Sequence, residues 1–110
     1  MQKLSLDALA RELLERAASA DGGRTAETVV GGHEKVLRQT VISMIKDAAL
    51  AEHANPGEAS IYVLHGRVLL TASDQTWEGR EGDLLIVPDA PHSLQALQDS
   101  SVLLTVGKRP

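Results

Sequence analysis

Between Leu6 and Ala17 the apolar residues Leu6, Leu9, Ala10, Leu13, Leu14 and Ala17 fall at i, i+3, i+4, i+7, i+8 and i+11. That spacing lines one face of a 3.6-residue helix. Ser5 stands at the N-cap position, where a hydroxyl can accept from the first turn. The pattern predicts a helix to about Ala18, ended by the breaker Asp21-Gly22-Gly23. Its polar face mixes acids with arginines and has no aromatic residue, so the helix is expected to pack on the domain or on a second subunit rather than lie on a membrane surface.

After Gly31-Gly32 the period changes. Short β-branched or apolar runs, KVLRQTVISMI, ASIYVLH, RVLLTAS, DLLIVP and SVLLTVG, with weaker ones at QTWEG and HSLQAL, are separated by NPGE, HG, DQ, REGD, PDAP and QDSS. About seven strands at this spacing, with no helical-length pattern between them to make crossovers, predict an antiparallel sandwich or barrel. The expected division is an N-terminal helix and linker over residues 1–32 and an all-β barrel domain over residues 33–110. In the longest run both Leu37/Val41/Ile45 and Val36/Ile42/Met44 are apolar, which predicts a strand covered on both faces, by barrel interior and by helix or partner. With Trp77 and Tyr62 as the only aromatic residues, the core must be built from Leu, Val, Ile and Ala. A small core of that kind is often completed by a second subunit, so a homodimer is expected.

Composition narrows the function. A chain of 110 residues has room for one core. The absence of cysteine excludes disulfides and thiolate metal sites, leaving His, Asp, Glu, Asn or Gln for any metal, and favours a reducing compartment. The opening MQKLSLDALARELLERA is broken by Asp7, Arg11, Glu12, Glu15 and Arg16, unlike a signal-peptide core or a membrane span. A cytoplasmic protein without membrane attachment is expected. Net charge is −4, and Arg11/Arg16 and Lys35/Arg38 are interleaved with Glu12, Glu15 and Glu34. No concentrated basic face exists to neutralise phosphates, so direct nucleic-acid binding is not expected.

The stretch LAEHANPGEASIYVLHG, residues 50–66, and the stretch from Gly82 through Pro88 to His92 together resemble the two motifs of the cupin family, small RmlC-like jelly-roll barrels of the double-stranded β-helix type. In the first motif, G, five residues, H-x-H, three or four residues, E, six residues, G, the closing glycine is Gly66 and the first histidine is His53. The second histidine falls on Asn55, the glutamate on Ala59 and the opening glycine on Asp47. In the second motif, G, five residues, P-x-G-x-x-H, three residues, N, Gly82 and Pro88 match around the strand DLLIVP. His92 arrives one residue early, and Ala90 and Ala96 stand near the places of the glycine and asparagine. Fifteen residues separate Gly66 from Gly82, and the resemblance spans residues 33–108. Independently of the family, Gly66 and Gly82 sit between apolar runs where a tight turn needs positive φ, and Pro88 closes a strand because it cannot donate to the ladder.

The resemblance implies a barrel whose mouth receives His53 and His92 from neighbouring strands. These two are the candidate ligands of a divalent metal (zinc, nickel, manganese, iron or copper), held weakly because the carboxylate is missing. Asn55, turned inward beside His53, Glu58, brought round by a bulge after Asn55-Pro56-Gly57, and His33, ahead of the first long strand, are candidate additional ligands. Ile61, Val63 and Gln39 are candidate pocket-lining residues. His65 reads as a surface residue and Trp77 as core packing before a stacking platform. The function this favours is binding of a small molecule or a weakly held metal. The alternatives are a metal-dependent dioxygenase or isomerase, a metal-free epimerase-like enzyme using His53 or His92 as base, and an accessory sensor for a transcriptional regulator. The epimerase needs an acid partner, for which only Tyr62 is at hand, and the regulator would act through a partner because no second helix completes a helix-turn-helix.

Overall fold

The structure, a computed structural model, describes residues 1–53 and 57–108, and of Glu52 and His53 the backbone alone. Helix α1 (Leu6–Ala17) and a 3₁₀ turn at Asp21–Gly23 precede nine strands among the described residues. These are β1 (Arg24–Val30), β2 (Leu37–Met44), β3 (Ala49–His53), β4 (Gly57–His65), β5 (Arg67–Ala72), β6 (Gln75–Arg80), β7 (Leu84–Val87), β8 (His92–Ala96) and β9 (Ser100–Lys108). They form two sheets, ordered β1-β2-β9-β4-β7 and β3-β8-β5-β6, and each pairing is antiparallel. The fold is an all-β jelly roll with one N-terminal helix.

Alternation decides what the two sheets bury. On β4 Ala59, Ile61 and Val63 face inward, opposite Val106, Leu104 and Val102 of β9. Val68 and Leu70 of β5 and Leu94 and Ala96 of β8 meet them from the second sheet. The core cluster holds no aromatic residue, so the two layers are joined by many small aliphatic contacts rather than a few large rings.

The second face of β2 carries the helix. Ser5 accepts from the Ala8 N–H at 3.2 Å, and Asp7 in the first turn and Arg16 in the last both complement the helix dipole. Ala10 and Leu13 pack on Val41, flanked by Leu6, Leu9, Val29, Leu64 and Leu103. Beneath them Ser43, fully buried, donates to the Ala10 carbonyl at 3.1 Å. Its single proton being used there, the 2.7 Å contact with Ser101 Oγ has Ser101 as donor. Thr25 Oγ1 donates to the Leu13 carbonyl at 2.6 Å, so two sheet hydroxyls hold two helix carbonyls. Small residues at Ala10, Ala17 and Ser43, each without exposed surface, let helix and sheet approach closely.

Two strands lie where no run was recognised. β1 falls inside the stretch read as linker, so the first sheet begins at Arg24 and the boundary at residue 32 does not separate helix from barrel. Its side chains are mostly exposed because it is an edge strand, which leaves little apolar alternation to read. β3 is five residues long and irregular in register. Among the described residues no helix is long and apolar enough to cross a membrane.

The turns hold two backbone tests. Gly66 has φ +82, and a Cβ there would collide with Ser100 Oγ and the Asp99 carbonyl, with Ser100 Cα at 2.9 Å. Asp47, at the family's opening-glycine position, keeps a left-handed backbone with φ 74. Gly66→Ala is expected to lose about 3 kcal/mol in urea unfolding, from backbone strain plus collision. Asp47→Gly is expected to be neutral to stabilising, by up to about 1 kcal/mol, because it relieves an αL side chain. In the same assay Ser43→Val should cost about 2 kcal/mol, since it crowds the helix seat and leaves the Ala10 carbonyl and Ser101 without that hydroxyl.

Candidate ligand site at the barrel mouth

His92 opens β8 directly after the Pro88-Asp89-Ala90-Pro91 turn, in which the Ala90 N–H donates to the Pro88 carbonyl at 2.8 Å. The ring is almost fully buried, at 4% exposure. Its Nδ1 lies 3.2 Å from the Ala90 carbonyl oxygen. A carbonyl can only accept, so Nδ1 carries a proton and, in the neutral ring, the lone pair is on Nε2.

Strand register builds the surroundings row by row. Ala72 of β5 stands opposite His92, and Gln75 of β6 opposite Ala72. One row deeper come Leu94, Leu70 and Trp77. Opposed residues share a face of the sheet, so His92, Gln75 and Trp77 lie on the inner side of the four-stranded sheet near its open end. Trp77 is 42% exposed and, with Leu70, Ala72 and Gln75, lines a shallow crevice. The two-residue Ser73-Asp74 turn, with Ser73 at φ 57, fixes this register.

On the other flank, Leu50 of β3 opposes Leu94, but the register then shifts and His53 opposes His92. A regular ladder would have set Glu52 there. The bulge therefore moves the backbone of His53, and not that of Glu52, to the place beside His92.

The remaining candidates are dispersed. Asn55 and the side chain of His53 lie outside the described residues. Glu58 is exposed on the outer side of β4, while its neighbour Ala59 takes the inner position, so the bulge that would have brought Glu58 inward is not in this strand. His33 is exposed in the connection between β1 and β2. Gln39 is on the outer, helix-bearing face of β2, in step with Val41 and Ser43, and its Nε2 donates to Thr105 Oγ1 at 3.1 Å. It is not a pocket residue, because the true parity of β2 places Ile42 and Met44 inward. Ile61 and Val63 are buried in the barrel core. His65 bridges Asp7 of α1, at 3.0 Å from Nε2, and Glu81, at 3.1 Å from Nδ1, a mostly exposed link between helix and barrel. The inner placement of Gln75 and Trp77 was not read from the sequence, although their position just past a two-residue turn was a usable clue.

A divalent metal of the kind the resemblance implies asks for several converging donors, one of them anionic. Among the described residues no three His, Asp or Glu side chains converge. The mouth supplies the His92 imidazole, a methyl at Ala59 and no carboxylate from β4. Of the candidate ligands, His92 is the one whose described side chain is buried at the mouth.

The Cupin domain family model matches residues 40–107. Among solved structures, a conserved protein of unknown function from Streptococcus pyogenes superposes with a TM-score of 0.76 at 24% identity, covering 99% of this chain and 89% of its own. A cupin superfamily protein from Desulfitobacterium hafniense gives 0.72 at 16% identity, covering 78% of each chain. An RmlC-like cupin from Desulfovibrio desulfuricans gives 0.67 at 24%, covering 76% of this chain and 81% of its own. No curated protein matches the chain. The first of these includes the N-terminal helix in its coverage, and all three establish likeness of fold.

The Ala90 contact has a direct spectroscopic consequence. With the His92 ring neutral, long-range ¹⁵N–¹H spectra should show the proton on Nδ1 and a bare Nε2; a proton on Nε2 instead would remove the assigned orientation.

Proposed function

The chain belongs to the cupin domain family, and on that premise we propose that it is a binding cupin, taking a small ring-shaped molecule with a hydrogen-bond donor at the open end of its four-stranded sheet. The observation that carries this reading is the inner row His92, Ala72 and Gln75 with Trp77 one row below. In its neutral form His92 carries its lone pair on Nε2, Gln75 carries an amide, and the half-exposed indole presents a flat apolar face. A few convergent polar groups beside an apolar wall are what small-molecule recognition needs.

A weakly held divalent ion is the second reading, supported by the β3 register that puts the His53 backbone opposite His92. The epimerase-like alternative has less support, since Tyr62, the acid it would require, is on the outer face of β4 and 40% exposed.

Because Trp77 is the sole tryptophan, its fluorescence reports on the mouth. Phenol, a ring with one donor, serves as the probe. It should quench Trp77 saturably with a Kd in the millimolar range, about −4 kcal/mol. His92→Ala should weaken that binding about tenfold, the loss of roughly one hydrogen bond, with the thermal midpoint measured alongside. Zinc or nickel alone should shift the midpoint little. Absence of saturable quenching would overturn the small-molecule reading; a stoichiometric metal in the purified protein would replace it with the metal one.

A further inference from the structure

We propose that the bond between Asp21 and Gly22 is a modification site, where the main chain isomerises through the Asp21 side chain with help from Arg24. Asp21 is the one aspartate followed by glycine. The chemistry is a ring closure. The Gly22 nitrogen attacks the protonated side-chain carboxyl of Asp21, a C–N bond forms, and the nitrogen's proton leaves with the carboxyl hydroxyl as water. The product is a five-membered cyclic imide. Water then adds to one of its two carbonyls. Opening at the side-chain carbonyl restores aspartate, whereas opening at the main-chain carbonyl leaves an isoaspartyl link, with the chain one methylene longer. The sum is an isomerisation that consumes no other reactant.

A fold opposes this closure by holding the aspartate helical or by tying up the following amide, and this fold does neither. The Gly23 N–H donates to the Ala20 carbonyl at 3.0 Å, and between them Gly22 has φ 70 and ψ 5. Asp21 is not among the residues of positive φ, so the four residues make a type II turn, whose second residue is extended. An extended aspartate can swing its carboxyl to the next nitrogen. The Gly22 N–H takes part in none of the hydrogen bonds that close the turn. Asp21 is exposed, and among the described residues its carboxylate is in no ion pair.

Arg24 adds what an Asp-Gly pair alone lacks. Its guanidinium lies over Gly22, with Cζ 3.2 Å from the place a Cβ would take there. Only a residue without a side chain leaves room for it. A cation held at that spot stabilises the negative charge that builds on the attacked carboxyl oxygen as the ring closes.

The position gives the reaction a consequence. Residues 18–23 join α1 to β1, the Gly23 carbonyl accepts from the Ile45 N–H at 2.9 Å, and Thr25 holds the Leu13 carbonyl just beyond. An extra methylene in the turn breaks the spacing of the Ala20–Gly23 bond and loosens the helix from the edge of the first sheet.

Folded full chain held at 37 °C and pH 7.4 and sampled over weeks, beside a synthetic peptide of residues 17–24, tests the proposal. The tryptic fragment of residues 17–24 should acquire an isomer of unchanged mass that an aspartate-specific protease no longer cuts, and should do so at least as fast in the folded chain as in the peptide. Arg24→Gln, whose fragment runs on to Lys35, should slow the folded chain about threefold, the size of one exposed charge interaction, and leave its own peptide unchanged. Asp21→Glu, which would need a six-membered ring, should yield no isomer. In the aged protein, amide exchange at Gly23 and Ile45 should quicken about tenfold. A folded chain that lags behind the peptide overturns the proposal, as does an Arg24→Gln chain with native circular dichroism that isomerises as fast as the wild type. Should Arg24→Gln misfold, the comparison of folded chain with peptide decides alone.

Discussion

The two-residue period of the β-strand governs everything this barrel can present. On β4 it turns Ala59, Ile61 and Val63 toward β9's Val106, Leu104 and Val102 and leaves Glu58 and Tyr62 outside. A carboxylate one position away from the inner row is, chemically, on another surface of the molecule. The aliphatic core and the absence of a β4 carboxylate from the inner row follow from the same parity.

Where the period is broken, the break is local and has consequences. The irregularity in β3 advances the register by one residue, and so His53 stands opposite His92 where a regular ladder would have placed Glu52. The Ala90 carbonyl then decides which nitrogen of His92 can act. Metal-ligating histidines are often oriented by such a carbonyl, but orientation alone does not make a metal site. The cupin frame here keeps its turns, including a left-handed backbone at Asp47 where the motif has glycine. The inner surface beside His92 is given to Ala72, Gln75 and Trp77.

The two outer faces of the barrel are unlike. One carries the Arg67, Glu78 and Arg80 cluster and side chains suited to water. The other carries exposed apolar side chains on β2, β4 and β7, and part of it is sealed by α1, whose carbonyls are gripped by Ser43 and Thr25. The helix is thus a fixed part of the first sheet's packing, with the exposed His65 bridge to Asp7 and Glu81 adding little energy.

Sequence alone determined the elements with strong local character: the helix through its 3.6-residue apolar spacing and Ser5, the seven runs through β-branched and apolar content between turn residues, and the turns at Gly66 and Gly82, whose φ values are +82 and +91. These features are local because each depends on a few neighbouring residues. Edge strand β1, short irregular β3, the outward turn of Gln39 and the inner row joining His92 to Gln75 and Trp77 were decided only by the tertiary structure. Each depends on which residue of a distant strand stands opposite. One shift of register reverses the face a side chain occupies, and no local pattern records that pairing.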